Sequence, residues 1–337
     1  MNSKVKKSMV AFGIGVSLFL AVLYLIGIEE IITNILKINI LIYLMSVGCI
    51  FASISLWVMR WKIFLKSDDE NVPFTRLFQY LIMGFSVNNL TPIAKMGGEP
   101  VRAYILKKRE NIKMRRGLAT ILADLSVFFL VTVFVVITSM ILITLTFTPP
   151  IWLKVVLIGF VIFSIVVFLG LVGVYSDLNI IPKILNWIGS KIKRIRPYKE
   201  KLLNKYQEFQ GTFKNCLDNK PIFLEAVVYT LIARCFELLK FFFLFLSLGF
   251  YMDPVKIFIA LGIAAILMAV PATPGSLGIF EGGMISVFVM LGAPAGIAAT
   301  VVFLERLVWY WLVTLIGGSL GAYYGIDILE SGMVDEG

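Results

Sequence analysis

The sequence contains no histidine, only three cysteines and few charged residues. Without histidine, Ser-His-Asp triads, Cys-His dyads and histidine-ligated metal sites are excluded. Cys49, Cys216 and Cys235 lie at unrelated positions, so neither a disulfide framework nor a metal site is predicted. Charged residues make up 15% of the 337 residues and hydrophobic residues 59%, whereas soluble domains have about 25% charged residues. The chain is therefore predicted to be an integral membrane protein that needs no cofactor.

The net charge of +10 comes from 31 Lys and Arg against 21 Asp and Glu. No basic, aromatic-interleaved soluble module accompanies it, so anionic membrane lipids are the predicted partners and nucleic acid is not. By the positive-inside rule the basic clusters are cytoplasmic, which predicts a multi-pass protein of the cell membrane with both termini in the cytoplasm. Arg60 and Trp61 are interpreted as part of an anchor at this cytoplasmic interface. The clusters are segments 4–7, 60–66, 102–116 and 183–220.

Apolar runs long enough to cross a bilayer, about 20 residues each, predict six full spans. Residues 29–39 are predicted to form a short loop, and 327–337 an acidic tail. In the basic segment 180–220 apolar residues recur at helical spacing, which predicts two helices lying on the membrane surface. A solvated basic linker is the alternative for that segment. The predicted spans are 8–28, 40–59, 117–147, 151–174, 222–248 and 295–324.

Two polar stretches interrupt the apolar sequence with one shared spacing, a Thr-Pro pair followed by six residues and a glutamate. Proline lacks an amide hydrogen and glycine loosens the backbone, so no continuous helix is expected through either stretch. They predict two re-entrant or broken helical hairpins, 77–102 and 257–291, and ordinary loops between complete spans are the alternative. The hairpin-shaping residues are Thr91, Pro92, Gly97 and Gly98, and Thr273, Pro274, Gly275 and Gly278.

The two stretches divide the chain into two similar units, 1–147 and 148–326. Each unit has three spans and one hairpin, and because three is odd the second unit is predicted to be inverted relative to the first. The run 117–120 followed by Asp124 resembles the run 296–300 followed by Glu305, which supports the repeat. Inverted repeats with broken helices are a recurrent plan of secondary transporters. The predicted fold is thus an all-α polytopic membrane protein with an inverted repeat.

The two hairpin motifs resemble those of a known family. The run from Thr91 through Gly-Gly-Glu-Pro-Val-Arg to Tyr104, and the run Pro-Gly-Ser-Leu-Gly-Ile-Phe-Glu at 274–281, are similar to the two signatures of the flippase-like family related to the membrane region of lysylphosphatidylglycerol synthase. The resemblance implies movement of lipids between leaflets. It implies no synthase activity, because the aminoacyl-transferring domain is missing from this sequence. Where the family often has Glu-Arg after the first motif, this chain has Asp124-Leu125, and only the second half keeps Glu305-Arg306.

Ionisable residues at membrane depth are the candidate site residues, because each costs about 2.5 to 3.5 kcal/mol at a helix centre. The guanidinium of Arg306 suits a lipid phosphate, and its neighbour Glu305 should point elsewhere on the helix. The substrate-binding candidates are Lys95, Glu99, Arg102, Arg234, Glu281 and Arg306, with Asp124, Glu237 and Glu305 also at depth.

Several candidates have a second interpretation. Arg234 and Glu237 are three residues apart on one helix, so an internal ion pair explains them as well as a substrate site does. Lys95 would bind phosphate or extend to the interface. Glu99 and Glu281 are predicted to be equivalent gates that change protonation as their hairpins move. The alternative is that both carboxylates cap helices at the breaks.

Two function classes follow. The first is a lipid flippase or transporter that moves an anionic phospholipid or polyprenyl-phosphate-linked lipid between leaflets. The second is an intramembrane enzyme, or an accessory subunit, in lipid or lipid-linked glycan biosynthesis, with Glu99 or Glu281 as a base. The symmetric motifs favour transport without catalysis. A homo-oligomer is compatible with the sequence.

Overall fold

A computed structural model describes residues 28–91, 97–146, 151–176, 182–183, 199–269 and 273–334. All the regular elements in these ranges are helices, which confirms the predicted all-α polytopic membrane fold. A 3₁₀ turn at Pro274–Ser276 precedes the helix that begins at Ile279, and a π-helical turn at Leu307–Leu312 joins the last two helices. The helices are α1 Ile28–Leu36, α2 Ile40–Ser67, α3 Phe74–Leu90, α4 Gly98–Arg109, α5 Met114–Thr146, α6 Ile151–Tyr175, α7 Lys199–Asp218, α8 Lys220–Ser247, α9 Pro254–Ala269, α10 Ile279–Met290, α11 Ala295–Arg306 and α12 Val313–Val334.

Length and apolarity identify four spans among the described residues. The fifth predicted span, 222–248, corresponds to α8, whose 28 residues are about 42 Å long. This helix is long enough to cross the bilayer, but it contains Arg234, Glu237 and Lys240. The first predicted span, 8–28, lies outside the described residues except for Ile28. The four apolar spans are Ile40–Ser67, Met114–Leu145, Ile158–Tyr175 and Ala295–Gly325.

Both predicted hairpins are pairs of short helices separated by a break. In the first, α3 has 17 residues and α4 has 12. In the second, α9 has 16 and α10 has 12. None of these helices reaches the roughly 20 residues needed to cross about 30 Å of hydrocarbon. The broken hairpins are therefore favoured over loops between complete spans, and their entry from opposite membrane faces stays a prediction.

Two predicted connections differ from the structure, and a third segment is described only in part. The predicted loop 29–39 is mostly helix α1, because Ile31 is buried and Asn34 Nδ2 donates to Thr300 Oγ1 at 3.2 Å, which ties the segment to α11. The predicted acidic tail is helical as far as Val334, because α12 continues through it. Of the two helices predicted in 180–220, the second is α7, and nearly all of the first lies outside the described residues.

Helix α7 buries part of its apolar face on protein. Phe213 and Cys216 are completely buried and belong to one cluster with Phe64 of α2 and with Ala119 and Ala123 of α5. A purely lipid-facing amphipathic helix would leave that face uncovered by protein. This helix therefore packs on protein, and its position at the membrane surface stays a prediction.

The interior has one large apolar cluster around each hairpin. The cluster of the second hairpin includes Phe245, Phe280 and Phe288, contributed by α8 and α10. The cluster of the first hairpin includes Trp61 and Tyr80, contributed by α2 and α3. Each hairpin is thus packed by protein, as non-helical backbone at membrane depth requires.

Candidate functional site

The first hairpin closes through direct contact between two glycines. A Cβ on Gly98 would lie 2.6 Å from the carbonyl carbon of Gly84 and closer still to its oxygen, so only glycine fits at this crossing. Small residues permit such close approach between helices in membranes. Asn88 completes the turn, because its Oδ1 accepts a hydrogen bond from Gly98 N at 2.6 Å and its Nδ2 donates to Glu99 Oε1 at 3.3 Å. These contacts fix the start of α4 and hence the position of Arg102.

Arg102 is a buried cation with incomplete hydrogen bonding. Its guanidinium lies 3.9 Å from the centre of the Trp61 ring, and only 3% of the residue is exposed. Its Nη2 is 3.8 Å from Asp124 Oδ2, too far for a hydrogen bond. Within the described part of the chain, Nε and Nη2 have no hydrogen-bond acceptor. Leaving buried donors unpaired is costly, so these donors are suited to an anion.

Asp124 is held firmly by a second arginine. Arg60 Nε lies 2.6 Å from Asp124 Oδ1, and Arg60 Nη1 donates to Thr230 Oγ1 at 3.1 Å. The interpretation of Arg60 and Trp61 as an interfacial anchor is wrong, since both are buried, Trp61 completely. Asp124 is followed by Leu125 rather than by arginine, and the arginines near its carboxylate are Arg60 of α2 and Arg102 of α4.

The second hairpin is organised by Glu281. Its Oε2 accepts a hydrogen bond from Gly278 N at 2.5 Å, and its Oε1 lies 2.7 Å from Arg306 Nε. The guanidinium of Arg306 lies 4.0 Å from the centre of the Phe280 ring, and Nη2 donates to Gly275 O at 3.4 Å. Glu281 therefore caps α10 and forms a buried ion pair in this structure.

The backbone of this turn requires glycine at two positions. Gly275 and Gly278 have φ values of 58° and 82°, in the left-handed region that side chains disfavour. A Cβ on Gly275 would also collide with the Tyr310 ring. Thr273 Oγ1 donates to Leu277 O at 2.7 Å and closes the turn. The predicted hairpin-shaping role fits these contacts. Of the other residues in that group, Pro92 lies outside the described residues, while Thr91 and Gly97 flank the first break.

The remaining predicted site residues are placed as follows. Arg234 Nη1 lies 2.7 Å from Glu237 Oε2, so the internal ion pair forms, and Arg234 Nη2 also donates to Thr132 Oγ1. Glu305 is paired with Lys240 at 2.7 Å, so it does point away from the partner of Arg306. Lys95 lies outside the described residues. In the described ranges no group of three or more Asp, Glu or Cys side chains could hold a metal ion.

Residues 8–317 match the family described as the lysylphosphatidylglycerol synthase TM region. The chain belongs to this family. A UPF0104 membrane protein of Methanothermobacter thermautotrophicus is 29% identical over 329 residues, which cover 96% of this chain and 97% of the relative. A UPF0104 membrane protein of Pyrococcus horikoshii is 29% identical over 317 residues, covering 91% and 94%. No solved structure matches the chain.

The family membership confirms the resemblance noted in the sequence. The two hairpin motifs nevertheless differ in the contacts of their glutamates. Glu99 and Glu281 hold corresponding places in the two Thr-Pro motifs of this chain, yet their surroundings differ. Glu281 is fully buried and paired with Arg306, whereas Glu99 is partly exposed and its Oε2 has no hydrogen-bond partner among the described residues. The amide at the start of α4 is capped by Asn88 rather than by Glu99. Capping therefore describes Glu281 better than Glu99, and the gating role of both stays a prediction.

In this family member the last helical segment contacts both hairpins. Arg306, just before the π-helical turn, pairs with Glu281 of the second hairpin. Tyr310, inside the turn, donates from its hydroxyl to Asn89 O of the first hairpin at 3.0 Å. Asn89 Nδ2 in turn donates to Thr314 Oγ1 at 2.9 Å. The two signature motifs are thus joined through one element.

Several site residues escaped the sequence analysis. The paired cations Arg60, which is buried, and Lys240, which is partly buried, were charged residues flanking or within apolar runs, and that position alone was their signal. Asn88 and Asn89 stood next to the first Thr-Pro pair, which marked the hairpin but assigned them no role. Tyr310 carried no distinguishing pattern, because aromatic residues are common in membrane helices.

Proposed function

We propose that this protein moves an anionic phospholipid or a polyprenyl-phosphate-linked lipid between the leaflets of the cell membrane. The observation that carries the proposal is the buried guanidinium of Arg102, which has unfilled hydrogen-bond donors beside a broken hairpin. Ionisable residues within membrane segments are rare, and many of them mark substrate pathways. A phosphate is the ligand that a guanidinium fork matches best.

The surroundings of Arg102 suit reversible binding of a head group. The Trp61 ring covers one face of the guanidinium and holds its plane, while hydrogen bonds form at the edge of that plane. Asp124 is 3.8 Å away from Arg102 and is bound at 2.6 Å by Arg60. A phosphate at Arg102 would therefore replace only a long contact, and Asp124 would keep its main partner.

The second hairpin contributes differently in this proposal. Arg306 already has a carboxylate at 2.7 Å, so it holds the hairpin until a phosphate displaces Glu281. Acyl or isoprenoid tails would remain in the lipid, along apolar side chains that α6 leaves exposed, such as Ile158, Ile162 and Leu169. The basic ends of the helices would face the cytoplasm, with both termini on that side.

Transbilayer movement in reconstituted vesicles tests the proposal. Head-group-labelled phosphatidylglycerol in the inner leaflet is protected from an impermeant quencher, and its exposure reports movement. Arg102→Lys keeps the charge but loses the fork, so we expect a rate lower by at least about tenfold. Arg102→Met should also be inactive and should remain as stable as the wild type, because removing an incompletely paired buried charge costs little.

The matched control is Lys107→Gln, which removes an exposed cation from the same helix. It should leave the rate unchanged. Full activity of folded Arg102→Met would refute the assignment. Measuring head-group chemistry in the same vesicles distinguishes the two function classes, since turnover of the head group without transbilayer movement would favour the intramembrane enzyme.

A further inference from the structure

A tryptophan of α2 has a buried hydrogen-bond donor that the structure leaves unused. The Trp57 residue is partly exposed, yet its Nε1 atom is buried and has no hydrogen-bond acceptor among the described residues. An indole N–H can only donate, and it usually has a partner when it is buried. Leaving such a donor unpaired costs about 1 to 3 kcal/mol. A bound ligand that offered an oxygen at this position would remove that cost.

The aromatic rings around Trp57 hold the indole without supplying an acceptor oxygen. The Trp57 ring makes edge-to-face contacts with Phe85 of α3, Phe128 of α5 and Trp309 of the π-helical turn. The corresponding distances between ring centres are 5.7, 6.3 and 5.5 Å. None of these three side chains contains an oxygen, and a ring face accepts an N–H only weakly. An oxygen of a ligand is therefore a better partner for the indole than its neighbours are.

Contacts on two helices place this indole close to the guanidinium of Arg102. On α2, Trp57 and Trp61 are four residues apart and share one helix face, and the Trp61 ring lies 3.9 Å from that guanidinium. On α3, Phe85 contacts the Trp57 ring. The residue before it, Gly84, packs against the side chain of Arg102, since a Cβ built on this glycine would lie 2.9 Å from Cγ and Cδ. The indole and the guanidinium are therefore separated by about 5 Å, one helical turn, and one phosphate group can reach both.

The open donors of Arg102 lie along one edge of its guanidinium. Nε and Nη2 are the two nitrogens without acceptors among the described residues. These two nitrogens present parallel N–H bonds, the arrangement that binds two oxygens of one phosphate. Trp61 covers one face of the guanidinium, so a phosphate approaches along the edge. Together with the indole, this edge offers three buried donors to one ligand.

We propose that the open edge of Arg102 and the indole of Trp57 together bind a phosphate monoester. The edge takes two terminal oxygens of the phosphate and the indole takes the third. A monoester has three terminal oxygens, whereas the phosphodiester of phosphatidylglycerol has two. Phosphatidic acid and polyprenyl phosphate are lipids that end in a monoester, and a water-soluble phosphate ester offers the same oxygens. This inference rests on the proposed function, because it names the kind of phosphate that the transported head group carries.

Binding to the purified full-length protein in detergent tests the proposal. Three ligands are titrated: short-chain phosphatidic acid, short-chain phosphatidylglycerol with the same tails, and glycerol phosphate, a monoester without tails. Trp57→Phe keeps the aromatic ring and removes only the N–H, so it should weaken binding of phosphatidic acid about tenfold. The same variant should leave binding of phosphatidylglycerol within about twofold of the wild type, since the diester has no third terminal oxygen. Glycerol phosphate binding as tightly as phosphatidic acid would identify a soluble ester as the source, and binding of the lipid alone would identify a head group.

Matched variants separate the indole donor from general packing. Trp309→Phe makes the same chemical change in the same ring cluster and should bind all three ligands like the wild type. Arg102→Lys should weaken binding of both lipids, because both use the edge of the guanidinium. If Trp57 served only to pack against its neighbouring rings, Trp57→Phe would change the affinities for the two lipids by the same factor.

The indole N–H of Trp57 gives a second readout on the wild-type protein, which does not depend on the folding of any variant. In protein labelled with isotopic tryptophan, the indole N–H resonance that is missing from Trp57→Phe belongs to Trp57. Phosphatidic acid should move this resonance downfield as the hydrogen bond forms, and phosphatidylglycerol should move it much less. An unmoved resonance, equal effects of Trp57→Phe on the two lipids, or no saturable binding of phosphatidic acid would overturn the proposal.

Failure of this proposal is distinguishable from failure of the proposed transport. None of these binding measurements requires lipid to cross a bilayer. A protein that bound phosphatidic acid through Trp57 but moved no lipid in vesicles would refute transport and retain the monoester site. Lipid movement that depended on Arg102 while Trp57→Phe affected both lipids alike would refute the monoester site and retain transport.

Discussion

Replacing Gly98 by alanine tests whether the first hairpin depends on contact between the backbones of α3 and α4. The added Cβ would lie 2.6 Å from the carbonyl carbon and 2.8 Å from the Cα of Gly84. Carbon atoms pack at about 3.5 to 4.0 Å, so the helices would have to separate by about 1 Å. The atoms in conflict belong to backbone, which has no rotamer change available to relieve the overlap.

The expected cost follows from this geometry. Overpacking costs about 1 to 3 kcal/mol, and a clash between backbones places Gly98→Ala near the upper end, about 3 kcal/mol. Gly84→Ala should cost less, about 1 kcal/mol, because the nearest atoms to its Cβ would be the side-chain Cγ and Cδ of Arg102 at 2.9 Å and not backbone atoms. Gly211, on α7, has no atom within 4 Å of an added Cβ. Gly211→Ala should therefore stabilise the protein by about 0.5 to 1 kcal/mol.

The free energy of unfolding in detergent micelles, measured for these three variants and the wild type, checks the order. The Gly98 variant should be the least stable, the Gly84 variant intermediate and the Gly211 variant the most stable. Gly98→Ala should also slow the proposed lipid movement, since the start of α4 positions Arg102. A Gly98 variant as stable as the Gly211 variant would refute the close backbone contact.

Two further predictions concern the acids of the hairpins and the orientation of the chain. Glu281→Gln should lower the free energy of unfolding by about 3 to 5 kcal/mol, because Arg306 is left buried without its counter-ion. Glu99→Gln should unfold like the wild type. Equal losses of stability for the two variants in denaturant titrations would contradict this prediction. An impermeant external thiol reagent should label a cysteine placed at Tyr251 but not one placed at Lys107. Cys216 should remain unlabelled, because burial raises the pKa of its thiol to about 11. External labelling at Lys107 would contradict the predicted orientation.

The helix breaks were predictable because their causes are local. Proline and glycine act on the backbone of their own segment, so the stretches after Thr91 and Thr273 could be recognised without knowing their neighbours. The pair Arg234–Glu237 was predictable for a related reason, since residues three apart share one face of one helix. In both cases the interaction that determines the local structure lies within about two helical turns of one segment.

The partners of the other charges could not be predicted, because they join distant segments. Arg60 and Asp124 are 64 residues apart, and Lys240 and Glu305 are 65 apart. Helical periodicity states which residues share a face but not which helix that face meets. Arg60 follows an apolar run and precedes Lys62, a pattern typical of an interfacial anchor. Only packing against α5 reveals that it is the counter-ion of Asp124.

The π-helical turn at Leu307–Leu312 has a mechanical consequence. A π-type turn contains one residue more than an α-helical turn, so moving the extra residue along the helix would rotate the part it passes by about 100°. Arg306 lies just before this turn and Tyr310 lies within it, and they contact Glu281 and Asn89, respectively. A shift of the turn would therefore rotate Arg306 and Tyr310 relative to each other, so that their two contacts could not both be kept in their present geometry.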